Sequence, residues 1–126
     1  MKDDGKVIFM EDVQKTYAMV MGGVLVLIGI LGFFMNPLLG LFGVNALQNI
    51  VHLLGGALGL WLGNSGSGKA FNMWLGIVGA VLAVLGFIPA TAALLASWLG
   101  VNIAITVLHA AIGLVSLGVA YGVKAQ

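Results

Sequence analysis

AMVMGGVLVLIGILGFF, residues 18–34, holds no charged residue, and NMWLGIVGAVLAVLGFI, residues 72–88, parallels it. Gly22 aligns with Gly76, and Leu31-Gly32-Phe33 aligns with Leu85-Gly86-Phe87. Outward from these stretches the pattern continues. No Asp, Glu, Lys or Arg occurs from Thr16 to Gly68, and none from Ala70 to Val123. The five basic and four acidic residues lie at positions 2–15, at 69 and at 124. Soluble domains carry roughly 25% charged residues; this chain carries 7% and is 61% hydrophobic. A spanning helix needs about 20 apolar residues, so each uncharged block has room for two spans and a connection. The expected fold is all-α, a polytopic membrane four-helix bundle.

The spans are expected at 17–35, 46–63, 72–89 and 102–122. Pro37 ends the first, because the residue before a proline is pushed out of helical geometry. NSGSGK, residues 64–69, separates the second from the third, and Pro89 closes the third. Asn45 and Asn102 suit the N-cap positions of the second and fourth. The domain division is then a cytoplasmic N-terminal segment at 1–16, the transmembrane domain at 17–122 and a short tail at 123–126. The first repeat covers about 17–63 and the second about 71–122. Each repeat holds two spans, so both copies run in the same sense, as two parallel, duplicated helix hairpins.

Lys15, Lys69 and Lys124 flank the spans on one side, whereas the connections 36–45 and 89–101 carry no charge. Basic loops stay in the cytoplasm. Both termini are therefore expected there, with the protein multi-pass in the cell (inner) membrane. Tyr17, Trp61, Trp74 and Tyr121 would form an interfacial belt on that side. The apolar outer connections would lie in the interface or fold over the bundle. The segment 1–15 mixes charge with Val7, Ile8, Phe9 and Met10, which suits a short interfacial helix, a docking segment or a solvated tail.

Several classes are excluded or weakened. The chain has no cysteine, which removes disulfides and thiolate chemistry. A net charge of +1 suggests no nucleic-acid partner. GNSGSGKA, residues 63–70, fits most of a phosphate-binding loop, but Ala70 stands where a hydroxyl would meet magnesium. It is read as a flexible turn, with no nucleotide and no metal. All four acids precede the spans, so no Ser-His-Asp or paired-carboxylate set can be assembled. The chain is not expected to be an enzyme.

The two histidines occupy matching places. Asn45, Asn49, His52, Gly56, Gly59 and Gly63 repeat every seven residues, which puts them in one stripe on the second span. Asn102, Thr106, His109, Gly113, Ser116 and Ala120 form the corresponding stripe on the fourth. In lipid, close contact between small residues supplies the attraction between helices, and the two stripes are expected to face each other. Three readings of the histidines follow. They form interhelical hydrogen bonds with Asn49, Thr106 or the opposing helix. Alternatively, His52 and His109 are axial ligands of a haem or a chlorophyll-type pigment. The third reading, conduction of protons or small solutes, is weakened by spans without acids.

NIVHLLGGALGLWL, residues 49–62, followed by SGSGKAF, resembles a family of short four-span prokaryotic membrane proteins catalogued as domain of unknown function 4383. The resemblance covers roughly residues 17–122. Members show N-x-x-H in the second span, a Gly/Ala/Leu run, a Ser/Gly/Lys/Arg turn and a second VN…H segment near the C-terminus. Asn49 and His52 match the first signature. His109 matches the second, where Thr106 replaces the family's Asn. The resemblance implies the four-span fold and the paired histidines and brings no activity. The expected role is a structural or accessory subunit of a larger membrane assembly. Its partners would be the lipid bilayer and other membrane subunits or further copies of itself.

Overall fold

The computed structural model describes residues 4–123, with side chains from Asp12 onward. It contains five helices: α1 (Asp4–Gly32), α2 (Ala46–Asn64), α3 (Gly68–Phe87), α4 (Pro89–Leu99) and α5 (Ile103–Gly122). Four are long and apolar enough to cross a membrane, as Asp12–Gly32, Ala46–Asn64, Gly68–Phe87 and Ile103–Gly122. At 1.5 Å per residue each of these stretches is close to the 30 Å hydrocarbon thickness. The chain is an all-α bundle of membrane type.

Three boundaries differ from the sequence reading. The first span's helix begins at Asp4 without a break. Residues 4–16 therefore continue the same helix over more than three turns, and no proline interrupts them. The helix also stops at Gly32, before Phe33, Phe34 and Met35. The connection 89–101 is largely a helix of its own. Pro89 stands at its first turn, where a missing N–H costs nothing, so one proline ends α3 and starts α4. Gly100 closes α4 with a φ of +69°, a conformation open to glycine.

α1 packs along α2, and α3 along α5. These are two antiparallel hairpins joined mainly through α1 and α3. One end of the bundle gathers Lys15, Lys69 and the last turn of α5, and is called here the lysine end. At the opposite, asparagine end, Leu38, Val44, Val101 and Ile105 form a buried core beneath the two connections. Ile28, Leu31, Phe42, Leu95, Leu99 and Leu108 pack around it. The apolar connections thus fold over the end of the bundle.

The expected meeting of the two stripes is corrected here. No Cα of α2 lies within 8 Å of one in α5 among the described residues. Each stripe is used mostly inside its own hairpin. A Cβ on Gly56 would lie 2.6 Å from the Gly22 carbonyl oxygen on α1. A Cβ on Gly113 would lie 2.6 Å from the Ala80 nitrogen on α3. The physical reason is that small residues attract any backbone that can come close. α1 lies along α2 and α3 along α5, so theirs are the backbones within reach.

Candidate functional site

The bundle's polar groups fall into three places. At the asparagine end, Asn45 Oδ1 accepts from the Gln48 N–H at 2.9 Å and so caps α2. Asn102 Oδ1 accepts from the Ile105 N–H at 3.0 Å and caps α5. Each side-chain amide then reaches the other hairpin. Asn45 Nδ2 donates to Trp98 O at 2.8 Å, and Asn102 Nδ2 donates to Leu41 O at 3.0 Å. The two caps therefore lock the hairpins together reciprocally. Gln48, buried, adds donations to Gly43 O at 3.1 Å and Leu99 O at 2.6 Å.

At the lysine end a second set forms. Asn72 on α3 is fully buried and donates to Gln14 O and Gln14 Oε1 at 3.0 and 2.9 Å. Gln14 donates in turn to Val119 O and Val123 O, both at 2.9 Å. It thereby gives Val123 O a partner at the end of α5 and adds a second donor to Val119 O, which the Val123 N–H also reaches at 3.3 Å. Tyr17 and Ser116 share a hydrogen bond of 2.6 Å. Ser116, expected as a packing residue, is therefore a polar link from α5 to α1. Tyr17 is drawn from the interfacial belt into the bundle by the same bond. Trp61, Trp74 and Tyr121 stay exposed.

Between the ends lies a cavity of about 250 Å³ that both His52 and His109 line. Its floor is Leu25 and Ile28 of α1, and its α5 wall is Leu108, His109 and Ile112. Val51, His52 and Leu58 of α2 and Trp74 and Val78 of α3 complete it. Val51, Leu58, Trp74 and Val78 are 46–59% exposed, whereas the α1 and α5 residues are buried or half-buried. The cavity is therefore a cleft that opens sideways between α2 and α3, onto faces that a bilayer would cover. The lining is almost wholly apolar.

The expected hydrogen bonds of the histidines are not formed. Nδ1 of His52 and Nδ1 of His109 are buried with no partner. Asn49 Oδ1 is also without a partner, because the amide lies against Gly32 on α1. Thr106 lies against Gly86 on α3, and its hydroxyl turns back to Asn102 O at 2.9 Å. A Ser or Thr on a helix reaches the carbonyl four residues earlier without leaving its own backbone. Hence neither residue meets an imidazole in this fold.

The other stripe residues are packing groups. Gly59 takes the Phe71 ring of α3, and Gly63 takes Ala18 and Met19 of α1. Ala120 is fully buried. The enclosed part of the cleft is smaller than a haem or chlorophyll ring. A cavity of 150 Å³ accommodates a benzene molecule; on that scale this one has room for on the order of ten carbon atoms. A tetrapyrrole ring carries more than twice as many. No group of three or more His, Cys, Asp or Glu that could hold a metal occurs among the described residues.

Gln14, Gln48 and Asn72 escaped the sequence reading. Their signal was an amide side chain in or beside an apolar helix, where polar groups must find partners. Only the fold shows which partners those are.

The chain matches the family model described as Domain of unknown function (DUF4383) over residues 15–122. No curated protein and no solved structure matches it.

Proposed function

The chain belongs to the DUF4383 family, and from that premise we propose a non-enzymatic accessory subunit of a larger membrane assembly that receives an apolar, bilayer-borne molecule in its lateral cleft. The observation that carries this reading is the cleft itself. In lipid a gap between helices forfeits packing contacts, so a gap that persists calls for an occupant. The two hairpins would be duplicated copies of one unit. Support comes from the reciprocal caps of Asn45 and Asn102, and from Asn49 on Gly32 recurring as Thr106 on Gly86.

The protein would sit in the cell membrane with both termini cytoplasmic. Lys15 and Lys69 are exposed and share one end of the bundle, while the connections at the other end carry no charge. Conduction is the weaker role, because the core of Leu38, Val44, Val101 and Ile105 closes the asparagine end above the cleft.

Native mass spectrometry after mild extraction tests the proposal. The expected spectrum shows stoichiometric protein partners and a bound small apolar molecule. A bare, isolated chain across several detergents removes both claims. The absorption spectrum of the same preparation, from about 350 to 900 nm, should be featureless. A Soret or chlorin band in stoichiometric yield would return His52 and His109 to the role of axial ligands.

A further inference from the structure

We propose that the cleft binds a lipid-soluble quinone, with its two ring carbonyls held between His52 and His109 and its tail leaving between α2 and α3. The inference rests on the cleft reading above and names the head group that the cleft selects.

Charge narrows the ligand first. No Asp, Glu, Lys or Arg lies in the chain from Thr16 to Gly68 or from Ala70 to Val123. A carboxylate, phosphate or ammonium in the cleft would be an unpaired ion out of water, which is strongly unfavourable. The head group is therefore neutral.

The imidazoles then set its hydrogen-bonding pattern. A neutral imidazole donates from one nitrogen and accepts at the other. Nδ1 of both rings is buried and faces no partner, so a proton placed there would be an orphaned donor. Buried donors are the rarer orphans. The proton belongs on Nε2, which is not so enclosed. Two N–H donors thus border one cleft, one from α2 and one from α5. Their complement is a molecule with two acceptors and no donor of its own. A para-quinone has that form.

Size and access agree. Room for on the order of ten carbons suits one substituted six-membered ring and does not suit a fused macrocycle. Phe71 and Trp74 line the cleft and offer aromatic faces on which a flat ring can stack. The exposed rim of Val51 and Val78 lets an isoprenoid or alkyl tail remain in lipid while the ring is inside.

The test uses the full chain in lipid nanodiscs, with Trp61→Phe and Trp98→Phe leaving Trp74 as the reporter. Decylubiquinone is the probe and decylbenzene the tail-only control. Saturable quenching of Trp74 by decylubiquinone is expected. His52→Leu/His109→Leu should weaken it tenfold or more, because two hydrogen bonds are lost. His52→Gln/His109→Gln keeps a donor at each place and should stay within about threefold. Both pairs should fold, since neither Nδ1 has a partner to lose. If the Leu pair binds as tightly as the parent and decylbenzene displaces the quinone equally well, the head-group assignment is overturned while the cleft stands. If quenching never saturates beyond simple partitioning and decylbenzene has no effect, the cleft reading falls with it.

Discussion

The two hairpins close in the same way and differ in what they do with polar groups. In both, small residues let the backbones touch: Gly56 meets Gly22 in the first, and Gly113 meets Gly79 in the second. About two turns away along α2 and α5, Asn49 sits on Gly32 and Thr106 sits on Gly86. There the likeness stops. The threonine satisfies its hydroxyl on Asn102 O, within its own helix. The asparagine has no such recourse, and its Oδ1 is buried without a partner. Near the caps, Gln48 of α2 spends its amide on Gly43 O and Leu99 O, while Ile105 of α5 fills the apolar core. Backbone closeness is thus common to both hairpins. Polar satisfaction belongs to each separately, and the contrast shows which part of the packing a helix face carries by itself.

The largest effects should come from the shared feature. Gly56→Ala and Gly113→Ala each place a methyl against backbone atoms at 2.6 Å, and backbone cannot give as a flexible side chain can. Each should cost about 1–3 kcal/mol, read by unfolding with sodium dodecyl sulfate from a mild detergent. Equal losses are expected. A loss in only one hairpin would mean that they do not close alike. Gly23→Ala is the control: its Cβ meets nothing within 4 Å, and the change should be neutral or stabilising by about 0.5–1 kcal/mol.

Next is the lysine end, where Asn72, Gln14 and the Tyr17–Ser116 bond join the hairpins. Asn72→Leu removes both donations to Gln14 and leaves buried acceptors behind. A loss of about 1–3 kcal/mol is expected, with faster hydrogen exchange in the last turn of α5. If exchange there is unchanged, Gln14 does not need Asn72 to hold Val119 O and Val123 O.

The reciprocal caps come third. Asn45→Ala and Asn102→Ala should each cost about 1 kcal/mol by loss of the cap, and the cross-hairpin donations make the two coupled. A double variant whose loss differs from the sum of the single losses supports that coupling. Strict additivity would show two independent helix ends. The smallest effect is Asn49→Thr, which gives the first hairpin the residue of the second. Removing an unsatisfied buried oxygen while keeping a self-satisfying hydroxyl should leave stability unchanged or raise it by less than about 1 kcal/mol. A clear loss would reveal a partner for Asn49 in the folded membrane state.

Much of the architecture was legible in the residues alone. Uncharged length sets the number of spans, because burying charge in a bilayer is costly whatever the tertiary fold. Pro89, Asn45 and Asn102 act on their own backbone neighbourhood, so their meaning survives without a partner. The Gly/Ser turn at 64–69 is read the same way: it joins α2 to α3, with Gly66 at a φ of +89°. What the small-residue stripes would touch was not legible. A seven-residue period says which side of a helix can be approached closely and gives no address for the approaching helix. Their period leaves the stripes free to face each other, whereas in the folded chain each is taken up mostly by α1 or α3. The histidines suffered the same ambiguity. Their matching positions place them at equal depth, but a hydrogen bond or a cleft is a relation between elements. Only the tertiary structure decided that α2 and α5 stand apart with His52 and His109 lining one cleft. The reason is that the competing contacts, Gly56 on Gly22 and Gly113 on Gly79, had already claimed the faces on which the two helices might have met.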